Sequence, residues 1–130
     1  MKTKDNLIDW NQAKQRLEDN IQRDFDLTSR TTYKIVVATP PYKCKNYENA
    51  IGYRIQVGKV SFINIPFEML EKLFLSALSN NGIYENAIFK QLYPKQLSQK
   101  PCHVHSIGLL FEKAGVMTKR DSRKYSINEI

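Results

Sequence analysis

A chain of 130 residues, 42% hydrophobic and 25% charged, has the size and balance of one folded domain with its own core, which excludes gross disorder. No run approaches the roughly 18 apolar residues of a membrane span, and MKTKDNLIDW lacks an apolar signal core, so a cytoplasmic location without membrane contact is expected. Two cysteines, Cys44 and Cys102, exclude a disulfide framework and a zinc site built from cysteine alone, while a net charge of +7 favours a polyanionic partner.

In chain order, residues 9–23 spell the first helix. Asp9 with Gln12 forms a capping-box pattern, and Trp10, Ala13, Leu17 and Ile21 make one apolar face. Residues 24–30 are read as a linker, followed by a β-rich run over 31–38 that Pro40 and Pro41 are expected to end. The loop over 40–49 interleaves Tyr42 and Tyr47 with Lys43 and Lys45. That pattern suits either a surface loop covering a sheet edge or a base-stacking contact. Residues 51–57 and 60–65 alternate as two strands, and Gly58-Lys59 between them fits a type II′ turn. Together these strands predict a small antiparallel sheet covered by the N-terminal helix.

Pro66 opens a strongly apolar helix with Phe67, Leu70, Leu73, Phe74, Ala77 and Leu78 inward, and Asn80-Asn81-Gly82 stops it. A second helix is expected from Ile83 to Leu92, with 95–100 as a connection. Gly82-Ile83-Tyr84 matches one half of the GIY-YIG nuclease signature, but the second half is absent and the triplet falls at an expected helix start. From Pro101, the residues Val104, Ile107, Phe111 and Ala114 recur at helical spacing, and Gly115 suits the left-handed position after the last turn. Beyond it, 116–118 and 124–127 pair as a hairpin across the tip Arg120-Asp121-Ser122.

The stretch LLFEKAGVMTKRDSRKYSI resembles the recognition-helix tail and wing of winged-helix repressors of the arsenical-repressor and multiple-antibiotic-repressor type. Ala114, Gly115, Val116, the tip from Lys119 to Lys124 and Tyr125 carry the likeness, which spans about a fifth of the chain. The fold class expected is therefore α+β. A small antiparallel sheet with an N-terminal helix (1–65) precedes a winged-helix-like unit of three helices and a β-hairpin (66–130), in one domain. The connection over 95–100 is longer than a tight helix-turn-helix link of about three or four residues.

After position 89 there are eight basic and three acidic residues, so five of the seven excess positive charges lie there. The residues expected to meet nucleic acid are Lys100, His105, Ser106 and Lys113 on the helix, and Lys119, Arg120, Arg123 and Lys124 on the hairpin. Duplex DNA is the expected target. The outer helix face, Cys102, His105, Ser106, Leu109, Glu112 and Lys113, holds no Arg, Asn or Gln for bidentate base readout, so backbone-led binding is expected. A protein-interaction or inhibitory module acting on a nucleic-acid enzyme is the alternative. The third reading is an enzyme using Cys102 with His105, for which no orienting third group is legible. His103 and His105 point about 200° apart on a helix, which disfavours chelation of one ion. Neither a metal nor a cofactor is expected. Cys102 and His105 are expected to face outward and His103 to border the core.

Overall fold

A computed structural model describes residues 6–21, 25–26, 33–44, 50–57, 62–121 and 123–130. The architecture is α+β. Helix α1 (Trp10–Asn20) starts at the expected capping box: Asp9 Oδ1 accepts from Gln12 N at 2.8 Å, and Gln12 Oε1 accepts from Asp9 N at 2.9 Å. Ala13, Leu17 and Ile21 are buried along one face.

Strands β1 (Phe25–Asp26), β2 (Tyr33–Cys44), β3 (Ala50–Val57) and β4 (Phe62–Pro66) form an antiparallel sheet in sequence order. Contrary to expectation, β2 does not stop at the prolines. Val37 lies opposite Tyr53 and Tyr42 opposite Gly52, so residues 38–41 form an irregularity in the ladder. Pro40 and Pro41 fall within it, where a missing N–H removes no paired bond. A Cβ at Gly52 would collide with the backbone of Ile65 and Pro66, so the neighbouring strand requires a residue without a side chain there. The turn expected at Gly58-Lys59 and the part of the loop at 45–49, including Lys45 and Tyr47, lie outside the described residues, as do Thr31, Thr32 and Ser122.

Helix α2 (Phe67–Ser79) rather than α1 supplies the main cover of the sheet, packing on β3 and β4, with Phe67 and Tyr53 ring centroids 5.1 Å apart. Its buried Met69, Leu70, Leu73, Phe74 and Ala77 make a stripe broad enough to serve the sheet and neighbouring helices together. Helix α1 lies against α2 through Trp10 and Phe74, 5.8 Å between centroids, with the Lys14 ammonium 5.6 Å from the centre of the Phe67 ring.

The remaining elements are β5 (Ile83–Glu85), α3 (Asn86–Leu92), α4 (Pro94–Gln99), α5 (Cys102–Lys113), β6 (Met117–Asp121) and β7 (Lys124–Ile127). Two expectations change here. The helix expected from Ile83 begins only at Asn86, because Ile83, Tyr84 and Glu85 pair with Ser126, Tyr125 and Lys124. The positive φ values of Asn81 (56°) and Gly82 (77°) end α2 before the chain enters that pairing. The connection over 95–100 is largely helical, with Pro94 at the first position of α4, where it loses no intrahelical bond. The resulting sheet order is β5-β7-β6. Since Tyr84 is buried in a strand, the absent second half of the signature is what excludes a GIY-YIG reading.

Helix α5 ends as its sequence predicts. Gly115 has φ +79°, Val116 N donates to Phe111 O at 2.9 Å and Gly115 N to Glu112 O at 3.1 Å, the paired bonds of a Schellman stop. Phe74 and Phe111 are both fully buried, 6.5 Å between centroids, so the apolar faces predicted for α2 and α5 meet at these two rings. A relay of rings continues from there: Phe111 to Tyr84 at 6.1 Å, Tyr84 to Tyr125 at 6.1 Å, and Tyr125 to His105 at 6.4 Å. Residues 6–8 then close on 128–130, with Ile8 N donating to Asn128 O at 3.1 Å and Ile130 N to Asn6 O at 2.9 Å. Tyr53, Ile55, Ile63 and Ile65 of the four-stranded sheet share one buried cluster with the helices and the hairpin. No helix among the described residues is long and apolar enough to cross a membrane.

Candidate functional site

The seat of the hairpin on α5 is built from two helix positions three residues apart, which share a face. Gly108 leaves its backbone bare, and the Tyr125 ring packs where a Cβ would otherwise stand. The Tyr125 hydroxyl lies 2.9 Å from His105 Nδ1. Burial, reinforced by Glu112, pushes that hydroxyl up to about 12, so it keeps its proton at neutral pH. Burial and then the Lys119 charge pull His105 below its ordinary value, with Glu112 opposing, so the imidazole is neutral near pH 7. The contact fixes the ring's orientation and leaves Nε2 toward the outside, as a donor or an acceptor according to the tautomer.

The hairpin sorts its cations by strand alternation. Lys119 is directly opposite Tyr125 and so lies on the face toward α5, whereas Thr118 is opposite Ser126 on the other face. Arg120 belongs with that second face, since its Nε donates to Ser126 Oγ at 2.7 Å. At the tip, Arg123 N donates to Asp121 Oδ1 at 2.8 Å, which fixes the reversal and leaves the Arg123 side chain exposed.

Between the hairpin and the start of α5 lies an open groove of about 650 Å³. Pro101 and Val104 contribute apolar surface, His105 and Asn86 contribute polar groups, and Lys119, Arg123 and Tyr125 close the hairpin side. Asn86 comes from the first position of α3, which β5 brings beside the hairpin.

Of the eight residues expected to meet a nucleic acid, this groove gathers His105, Lys119 and Arg123. Arg120 lies on the opposite face of the hairpin, and so does Lys124, which alternates with Tyr125 along β7. Lys113 is exposed in the last turn of α5, about 12 Å along the axis from His105. Three residues are placed differently from what the sequence predicts. Ser106 is 4% exposed and cannot reach a phosphate; Leu109, expected on the outer face, is 8% exposed. Lys100 does not face the hairpin groove: its ammonium donates to Phe62 O at 2.8 Å and lines a separate polar recess of about 220 Å³ beside β4. Sequence reasoning gave Asn86 no role in a site. The only signal was its position just after a short β-capable triplet.

His103 borders the core as expected, 6% exposed and 5.7 Å from the Phe89 ring, and its Nδ1 lies 2.9 Å from Lys100 O, to which it donates. Burial is the main cause that holds it below its ordinary value, the Lys100 charge adding and the carbonyl bond opposing. His105 is exposed. The Cys102 side chain lies outside the described residues, so the outward position expected for it and a Cys102–His105 pair have no described geometry. Among the described residues no three His, Cys, Asp or Glu side chains cluster in a way that would hold a metal ion.

No protein-family model, curated protein or solved structure matches the chain.

Proposed function

We propose that residues 66–130 act as a winged-helix unit that binds nucleic acid, with α5 as the helix presented to the ligand and β6–β7 as the wing. The observation that carries this reading is the arrangement of α5 and the hairpin, with Lys119 and Arg123 facing a groove along the first turns of the helix. The element order adds support. Helices α2, α3 and α5 precede the hairpin, α4 is a short addition, and a strand from between α2 and α3 completes the β5-β7-β6 sheet. Binding is led by the phosphate backbone. Long exposed cations on a hairpin reach phosphates without being buried, and the charged or titratable side chains that α5 exposes among those described are His105, Glu112 and Lys113.

A salt titration tests the reading. If two to four phosphates are neutralised, log K falls against log [salt] with a slope of about −2 to −3.5 on duplex DNA. Changing Lys119 and Arg123 together to alanine flattens that slope by up to about two units and weakens all sequences alike. Undetectable binding to duplex DNA, single-stranded DNA and RNA near roughly 50 mM salt, where phosphate contacts are strongest, refutes it and points to a protein partner instead.

A further inference from the structure

The groove does not have the chemistry of a surface that meets only a duplex. A duplex offers phosphates and sugars outward while its base faces stay stacked on one another, so apolar protein surface at the contact gains little from it. Here the cations of Lys119 and Arg123 stand beside apolar surface from Pro101 and Val104, with the Tyr125 edge behind. Polar groups that suit a base edge are present too: the Asn86 amide, a donor and an acceptor together, and the His105 ring held in one orientation by Tyr125. Further along α5 that provision ends. Ser106 and Leu109 are buried, and the next exposed side chains, Glu112 and Lys113, lie in the last turn with opposite charges.

We infer that this groove takes the unpaired end of a nucleic-acid strand, one or two nucleotides projecting from a duplex, rather than a continuous duplex face. The unstacked base lies against Pro101 and Val104, Asn86 and His105 meet its edge, and Lys119 and Arg123 hold the flanking phosphates. This inference rests on the nucleic-acid reading above and narrows its ligand to a single-stranded terminus, of deoxy- or ribonucleotides.

Its test compares one labelled duplex, blunt or carrying a single-stranded tail of about six nucleotides, with tails of either polarity and of either sugar. By anisotropy at fixed salt, a tailed duplex is expected to bind about tenfold or more tightly than the blunt one, as burial of one or two base faces gives. 2-Aminopurine at the first unpaired position should change its emission on binding, and the same base inside the duplex should not. Val104→Gln, which replaces apolar surface with an amide, should bring the tailed-to-blunt ratio toward one. The emission comparison uses the unaltered protein, so it decides the matter even if that variant folds poorly. Equal affinity for blunt and tailed duplexes, with 2-aminopurine silent, overturns the inference and leaves nucleic-acid binding standing. Absence of binding to every probe overturns both.

Discussion

At its C-terminal end α5 is capped by side chains from the rest of the protein, and at its N-terminal end no side chain caps it. Ala114 O accepts from Asn20 Nδ2 at 2.8 Å, and Gly115 O accepts from Arg16 Nη1 at 2.7 Å and from Asn128 Nδ2 at 2.9 Å. Two of those donors come from α1, so the first helix of the chain serves to close the last. At the other end Pro101 makes no side-chain cap, and the first turn borders a polar recess through His103 and the cationic groove through His105. One helix thus has a structural end and an end with room for a ligand. Substitutions at the first should change stability alone, and substitutions at the second should change recognition.

The harshest test strikes midway. Phe111→Ala empties a fully buried site that touches Phe74 and Tyr84, so both ends should loosen together, at a cost of about 3–5 kcal/mol in urea unfolding. A loss below about 1 kcal/mol would show that the ring relay does not join them. Gly108→Ala belongs to the ligand end: its new methyl meets the Tyr125 ring, and overpacking of this kind costs about 1–3 kcal/mol. Nucleic-acid affinity should fall with it, since Tyr125 no longer orients His105. Asn20→Ala removes one bond at the structural end and should cost about 1 kcal/mol while leaving affinity for any nucleic acid unchanged. A change in affinity there would break the division of labour.

The smallest effect is a pH dependence. His103 and His105 both have folded-state values below the ordinary 6.5. The unfolded chain therefore binds more protons between those values and 6.5, and stability falls as pH drops through that window, with no further loss from these groups below it. Urea midpoints between about pH 7.5 and 5 should decline accordingly, and His103→Gln should flatten the decline because the more buried ring is gone. An unchanged slope in that variant would assign the acid sensitivity elsewhere.

Much of this fold can be read locally. The capping box of α1, the apolar stripe of α2, the stop at Gly115 and the hairpin after it are each specified within a few residues. What could not be read that way depends on a distant partner. Ile83, Tyr84 and Glu85 have spacing that suits a helix, and only their pairing with β7, some forty positions later, makes them a strand. The run of β2 through two prolines depends likewise on the ladder supplied by β3. At the candidate site, charge was legible and direction was not. The sequence contains Lys119 and Arg120 side by side, and strand alternation then sends them to opposite faces. A single apolar stripe would leave Ser106 and Leu109 outside, yet α5 is enclosed on more than one side and buries both. The local clue was Gly108, a residue without a side chain in mid-helix.

The closure of residues 6–8 on 128–130 bears on how the molecule folds. Leu7 bridges Glu129, and Asn128 both donates through its backbone to Val116 O and accepts from Thr118 Oγ1 at 2.6 Å, so that junction belongs to the base of the hairpin. Contacts between segments so far apart in sequence form only after a large loss of chain entropy, and they raise the contact order on which folding rates depend. The hairpin is therefore expected to acquire its last strand-like neighbour late, after α2, α5 and their rings have condensed. In native-state hydrogen exchange the amides of Ile8, Asn128 and Ile130 should open together as one cooperative unit, ahead of those in the middle of α5.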